Sequence, residues 1–231
     1  MLLLYLLVGV PLISVTPWLL AEHCGIRSAS GQKEVDVHSR AGMTEVVDRR
    51  QQKTRAALQT AFRELLLAQG YQALTVGAVT ALANVGRSTF YEHYRTKDDL
   101  LRASIQAPFN MLADIIDRPA CRAALRDLLQ HFRANQQVAR MLLGSPTRPV
   151  LASALAELIA SRLCAITQSR PLIPVEVIAR QIADMQLALL ESWISGRPVF
   201  GLDAAVDAMT SATGALVEGL CRVARSRSHP D

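Results

Sequence analysis

An all-α fold is predicted by three observations. After residue 43 the 231-residue chain is dominated by Ala, Leu, Arg, Gln and Glu, and only 5% of all residues are aromatic, a composition that favours helices and gives strands little support. Apolar residues recur at helical spacing in one stretch after another. Gly and Pro mark the breaks between those stretches. With half of its residues hydrophobic, a chain of this length can bury a core as one large or two modest domains. The expected organisation is an apolar segment and linker over 1–42, a three-helix helix-turn-helix domain over 43–96, a helical bundle over 97–225 and a tail over 226–231.

The stretch from Met1 to Ala21 carries no charged side chain and is long enough for the ~20-residue span of a bilayer. It lacks the Lys or Arg of a signal-peptide n-region, and Pro11 and Pro17 interrupt it. A membrane anchor, a cleaved signal and an upstream extension outside the working protein all fit it. The extension is the preferred reading, with Met43 as the natural start of a cytoplasmic protein. Residues 22 to 42 read as polar linker.

From Arg49 the pattern becomes regular. Ala57, Leu58, Ala61, Phe62, Leu65 and Leu66 form an apolar stripe, and Gly70 is expected to stop that helix. Arg49, Arg50, Lys53 and Arg55 cluster at its start, where positive charge opposes the macrodipole. An approaching phosphate backbone explains the placement; an ordinary solvated basic end is the competing reading. Residues 49 to 102 hold nine Lys or Arg against four acids, residues 103 to 231 thirteen against eleven, and residues 1 to 48 three against five. The basic excess thus coincides with one short region.

Within that region, Val76, Val79 and Ala83 predict a helix of about two turns with Thr75 as N-cap. Asn84 then suits the left-handed backbone of a tight turn, and Val85 the corner between two helices. The next segment, Arg87 to Tyr94, sets one inward residue, Phe90, among the donors Arg87, Ser88, Thr89, Tyr91 and His93. Phosphates and base edges in a major groove call for such donors. Arg87 and Ser88, in the first turn of the second helix, are the candidates for base readout. Tyr91, His93 and Lys97 are candidates for phosphate, while Tyr94 is as well explained as a wedge between helices.

The run Thr75-Val76, Val79, Ala83, Val85, Arg87-Ser88-Thr89-Phe90-Tyr91, His93-Tyr94, Lys97 and Leu100-Leu101 resembles the N-terminal domain of the tetracycline-repressor (TetR) family. Two positions depart from the pattern. Asn84 stands where the family usually has Gly, and Gly86 where it has Ser or Thr, so the second helix lacks a side-chain cap. The resemblance implies a DNA-binding transcriptional regulator, with Thr75, Arg87, Ser88, Thr89, Tyr91, His93, Lys97, Arg49 and Arg50 at the DNA. It further implies a homodimer paired through its last two helices and a ligand-released repressor of a pseudo-palindromic operator.

Beyond Lys97 a helix is expected through Leu100, Leu101 and Ile105, with Asp98 and Asp99 suiting its positive end. Pro108 is expected to kink or break it, and Pro119 to end the segment after Pro108. Helices are then predicted over 120–136, 137–143, 151–167, 175–194 and from Asp203, as N-cap, to about Arg225, with breaks at Gly144-Ser145-Pro146 with Pro149, at Pro171 and Pro174, and at Gly196, Pro198 and Gly201. Met111, Leu112, Ile115, Phe132, Met141, Leu142, Leu143, Met185, Leu189, Trp193 and Phe200 read as core, with some subset free to line a ligand cavity. Ile178, Ile182, Met185 and Leu189, with Ala205, Met209, Ala212, Leu216 and Leu220, form broad apolar faces suited to pairing between subunits.

No glycine-rich phosphate loop, nucleophile elbow, paired-carboxylate site or HExxH motif occurs, so no enzymatic activity is expected. Cys24, Cys121, Cys164 and Cys221 form no metal-binding spacing and read as scattered reduced thiols. No metal or cofactor is expected, and the expected partners are double-stranded DNA, a second copy of the chain and an unidentified small effector, with no membrane. A membrane-anchored helical protein, and an all-helical enzyme or adaptor that borrows the fold without binding DNA, are the alternative readings.

Overall fold

The computed structural model describes residues 41–117, 122–167, 171–197 and 199–221. Among these, every regular element is a helix: α1 (Ala41–Ala73), α2 (Val76–Leu82), α3 (Arg87–His93), α4 (Lys97–Ala113), α5 (Arg122–Ala134), α6 (Gln136–Leu143), α7 (Arg148–Ile166), α8 (Val175–Ser195) and α9 (Leu202–Cys221). The predicted all-α class holds. The apolar stretch Met1–Ala21, Pro119, Pro198, Cys24, Cys121 and the tail lie outside the described residues.

The chain divides into two compact units, one comprising residues up to 68 with 74–100, the other 69–73 with the residues from 101 onward. In the first, α1 contributes Leu58, Ala61, Phe62 and Leu66 to a core completed by Leu74, Val79, Phe90, Tyr94 and Leu100. These are the stripe positions of α1 and the inward positions of α2 and α3, so the amphipathic pattern alone dictates which faces meet. Helix α1 breaks where expected: Gly70 has φ 75° and ψ 168°, a conformation that side chains with a Cβ strongly avoid.

In the second unit α8 is the central element, packing on α7, α9, α6 and α5. Its buried side chains include Ile178, Ile182, Leu187, Leu190 and Trp193, and α7, which packs against it, buries Leu151, Leu155, Ile159 and Leu163. Gln186 is fully buried and donates to the Leu112 carbonyl (3.3 Å) and Thr213 Oγ1 (3.1 Å), tying α8 to α4 and α9. The end of α8 is closed by Gly196 in the left-handed region (φ 69°) and by two arginines, Arg133 onto the Trp193 carbonyl (3.1 Å) and Arg140 onto the Ile194 carbonyl (3.0 Å). Cations at a helix C-terminus complement the dipole as well as the unpaired carbonyls.

Four expectations are corrected. Pro108 does not break α4, which runs on to Ala113. The missing N–H costs one helical bond, but Ile105, Phe109 and Leu112 are buried on either side and hold the helix together through packing. Pro149 belongs to the first turn of α7 rather than to the preceding break, a position whose amide has no helical partner to lose. Asp203 is not the N-cap of α9 but lies within its first turn, paired with Arg126.

The fourth correction concerns the broad apolar faces assigned to subunit pairing. Ile178, Ile182, Ala205 and Met209 are fully buried within this single chain. Met185, Leu189, Ala212, Leu216 and Leu220 are half-buried, so only part of the predicted face remains on the surface. Helix α7 is the described helix long and apolar enough to cross a membrane by composition; its Glu157 is paired with Arg102 of α4 and its Arg162 with Asp114, in the turn that follows α4.

Candidate nucleic-acid interface

Thr75 and Asn84 set the geometry of the helix-turn-helix. Thr75 Oγ1 accepts from the Ala78 amide at 3.2 Å and caps α2 in extended backbone, as its hydroxyl predicts. Asn84 has φ 52°, and the Val85 amide turns back to the Thr80 carbonyl at 3.0 Å. An amide side chain tolerates this left-handed position where most side chains do not. Val85 is half-buried at the corner, and Phe90 is the buried residue of α3, its ring 5.7 Å from that of Tyr94.

The rest of α3 is a row of donors. Arg87, Ser88 and Tyr91 are exposed, Tyr91 to 57%, while Thr89 and His93 are half-buried. The side-chain donors of Arg87, Ser88, Thr89 and Tyr91 have no intramolecular hydrogen-bond partner among the described residues. Tyr94 differs. It is 7% exposed, and burial pushes its phenol up, against the opposing pull of a hydrogen bond with Gln59 and the charge of Arg55. Of its two readings, the wedge is the one that its burial fits.

Three long-range contacts join the candidate residues. Lys97 Nζ donates to the Leu74 carbonyl at 3.1 Å, which brings the ammonium beside Thr75 at the start of α2. Arg55 Nε donates to His93 Nδ1 at 3.4 Å, so α1 holds one edge of the imidazole. The Arg87 guanidinium lies across α2 at Gly77: a Cβ built there would stand 2.9 Å from Arg87 Nη2. Arg49 and Arg50 are exposed on the first part of α1.

The sequence places Arg55 in the basic start of α1 and Asp99 in the first turn of α4 without giving their partners, and Gly77 and Thr96 are not among the expected site residues. Asp99 Oδ2 accepts from the Thr96 amide (2.9 Å) and the Arg95 amide (3.1 Å), while Thr96 Oγ1 accepts from the Asp99 amide (3.1 Å). This reciprocal cap starts α4 and aims Lys97, and the Thr-x-x-Asp spacing carries its signal. No comparable short-range signal gives Arg55 its partner or marks Gly77.

Gly86 is the one weak joint. It begins α3 in extended backbone (φ −65°, ψ 150°) without a side-chain cap. A Cβ there meets nothing closer than Ser88 Oγ at 3.6 Å, so a side chain fits. Gly86→Ser is therefore expected to raise stability in urea unfolding by about a few tenths of a kcal/mol, the usual gap between Gly and Ser at an N-cap. A loss of stability in that measurement would contradict the assigned cap geometry.

Residues 58–104 match the family model described as bacterial regulatory proteins, tetR family. The HTH-type transcriptional regulator YxbF of Bacillus subtilis (strain 168) is 43% identical over 72 residues, spanning 31% of this chain and 18% of that protein. Over this segment the chain is similar to the TetR family. The TetR-family match falls on the capped, donor-lined helix pair described above. A TetR transcriptional regulator from Streptococcus agalactiae is similar in structure with a TM-score of 0.48 and 28% identity over 74% of this chain and 98% of that one. A TetR-family regulator from Syntrophomonas wolfei gives a TM-score of 0.44 and 18% identity over 77% of this chain and 99% of that one.

Proposed function

We propose that the protein is a homodimeric repressor that binds a pseudo-palindromic operator through α3 and leaves it when a small ligand binds the second unit. The observation that carries the DNA-binding part is the set of unpaired donors on α3, within the segment that matches the TetR family. Arg87 and Ser88 read base edges from the first turn of the helix. Thr75, Thr89, Tyr91, His93 and Lys97 hold phosphates around it, with Arg49 and Arg50 reaching the backbone from α1. Two copies of α3 meet successive half-sites when they stand about one DNA turn, roughly 34 to 36 Å, apart.

The half-buried remainder of the apolar faces on α8 and α9, with the small residues Ala208, Ala215 and Gly219 beside it, supports pairing with a second copy. Helix α4 is shared by both units, so a ligand that displaces it changes the spacing of the two recognition helices. A coupling of about 1 to 3 kcal/mol suffices for a roughly 5- to 150-fold change in operator affinity.

Lys97→Ala tests the phosphate assignment. Binding to operator and to unrelated DNA should weaken alike, and the slope of log K against log salt should shrink by about one. The bond from Lys97 to the Leu74 carbonyl is lost as well, so unfolding of the variant is measured alongside. Unchanged affinity and salt slope in a folded variant would remove Lys97 from the interface. Selection of bound fragments from the organism's own DNA returns the operator; failure to enrich any sequence by a folded dimer would refute the regulator reading.

A further inference from the structure

Two polar clasps join α4 to α7 inside the second unit. At one level Arg102 Nη1 donates to both carboxylate oxygens of Glu157, at 2.8 and 2.9 Å. At the other, Arg162 donates to Asp114 Oδ1 from Nε (3.1 Å) and Nη2 (2.9 Å), and to Asn110 Oδ1 from Nη2 (3.1 Å). Beside the first clasp is a cavity of about 260 Å³, walled by the apolar Ile105, Phe109, Ala154 and Leu158 and rimmed by Arg102 and Glu157. Its volume lies just below the ~300 to 1,000 Å³ range of small-molecule pockets, so its occupant is small.

The two arginines are used differently. Arg162 engages its partners with the Nε and Nη2 edge, the fork that matches a carboxylate. Arg102 spends only Nη1, and its Nε and Nη2 have no hydrogen-bond partner among the described residues. Glu157 commits both oxygens to that single nitrogen and is the more exposed partner, 65% against 36% for Arg102. An ion pair exposed to this degree contributes about 0 to 1 kcal/mol, so exchanging it loses little.

We propose that this groove binds a small organic carboxylate, with its apolar body against Ile105 and Phe109 and its two oxygens on the Nε and Nη2 edge of Arg102. A cationic ligand would instead have to strip Glu157 from Arg102 and leave the open guanidinium edge unused. Glu157 is the built-in competitor: its carboxylate stands in part for the ligand's, and it is the group the ligand repels. Because Arg102 stands on α4, the helix that Lys97 begins, filling the groove changes what holds α4 to α7. The inference rests on, and deepens, the reading of the protein as ligand-released.

The test is calorimetric titration of the full chain, without DNA, using 4-phenylbutyrate and its neutral amide as probes. The wild type should bind the acid at least about tenfold more tightly than the amide, the equivalent of one charge-assisted hydrogen bond. Glu157→Gln should tighten the acid severalfold and leave the amide alone, whereas Arg102→Gln should abolish the acid's advantage. Equal binding of acid and amide, an acid preference that survives Arg102→Gln, or no binding of the acid to Glu157→Gln at millimolar concentration overturns the proposal. The variants alter exposed side chains, and thermal melts verify that each remains folded. Release of selected operator DNA by the acid is measured separately: acid binding without release supports this groove and counts against ligand-released repression.

Discussion

Phe90→Ala is expected to destabilise the helix-turn-helix unit by about 3 to 5 kcal/mol, the usual cost of deleting a fully buried aromatic ring. Phe90 is 0% exposed and is the one side chain of α3 that enters the core, where its ring meets Tyr94. Helix α3 is short and has no side-chain cap at its start, so its packing depends chiefly on this buried ring, beside the polar Arg55–His93 contact with α1. Whole domains are stable by only about 5 to 15 kcal/mol, and the loss falls on the smaller of the two units. The expected result is an early urea transition carrying part of the helical signal, with the second unit's transition left near its original midpoint. DNA binding should be lost for operator and random sequence together. A midpoint shift equivalent to less than about 1 kcal/mol would show that the ring is not where the core needs it.

How much of the fold was legible in the sequence depends on the range of the interactions. Thr75 as a cap, Asn84 as a left-handed turn and Gly70 as a stop depend on backbone chemistry within a few residues, and each stands in the structure as read. The inward position of Phe90 comes from helical period in the same way. Pro108, Pro149 and Asp203 were misread because the local rule names a tendency and the neighbouring packing decides the outcome. Pro108 sits between buried residues of a helix that tertiary contacts hold whole, and Asp203 finds an ion-pair partner on α5 instead of capping.

The candidate site shows the same division. Composition could name the donors on α3, but not the groups that orient them. Arg55 lies 38 residues from His93, and Lys97 lies 23 residues from Leu74. Apolar periodicity likewise cannot say which neighbour covers a face. That is why Ile178, Ile182, Ala205 and Met209, read as surface for a second subunit, are instead core of the first. The Arg102–Glu157 clasp spans 55 residues and joins two helices whose patterns mark only their apolar sides.

Arg87→Ala should relax base preference at one operator position while changing affinity for unrelated DNA much less. A bidentate arginine contact to a base edge is worth about 1 to 3 kcal/mol of discrimination, so the preference there should fall roughly 5- to 150-fold. The measurement is binding to the selected operator and to its single-position variants at fixed salt. Uniform weakening across all variants would make Arg87 a phosphate contact instead. Gly77 sharpens the distinction, because its missing side chain is what lets the guanidinium rest on α2 with no Cβ at 2.9 Å. Gly77→Ala moves the guanidinium without removing it, so it should alter preference at the same operator position and at no other. Combined with Arg87→Ala it should add nothing to the change in preference, since the methyl group then has no guanidinium to displace. Additive effects in that double-mutant cycle would mean that Gly77 acts through α2 itself, where alanine favours the helix by about 1 kcal/mol over glycine.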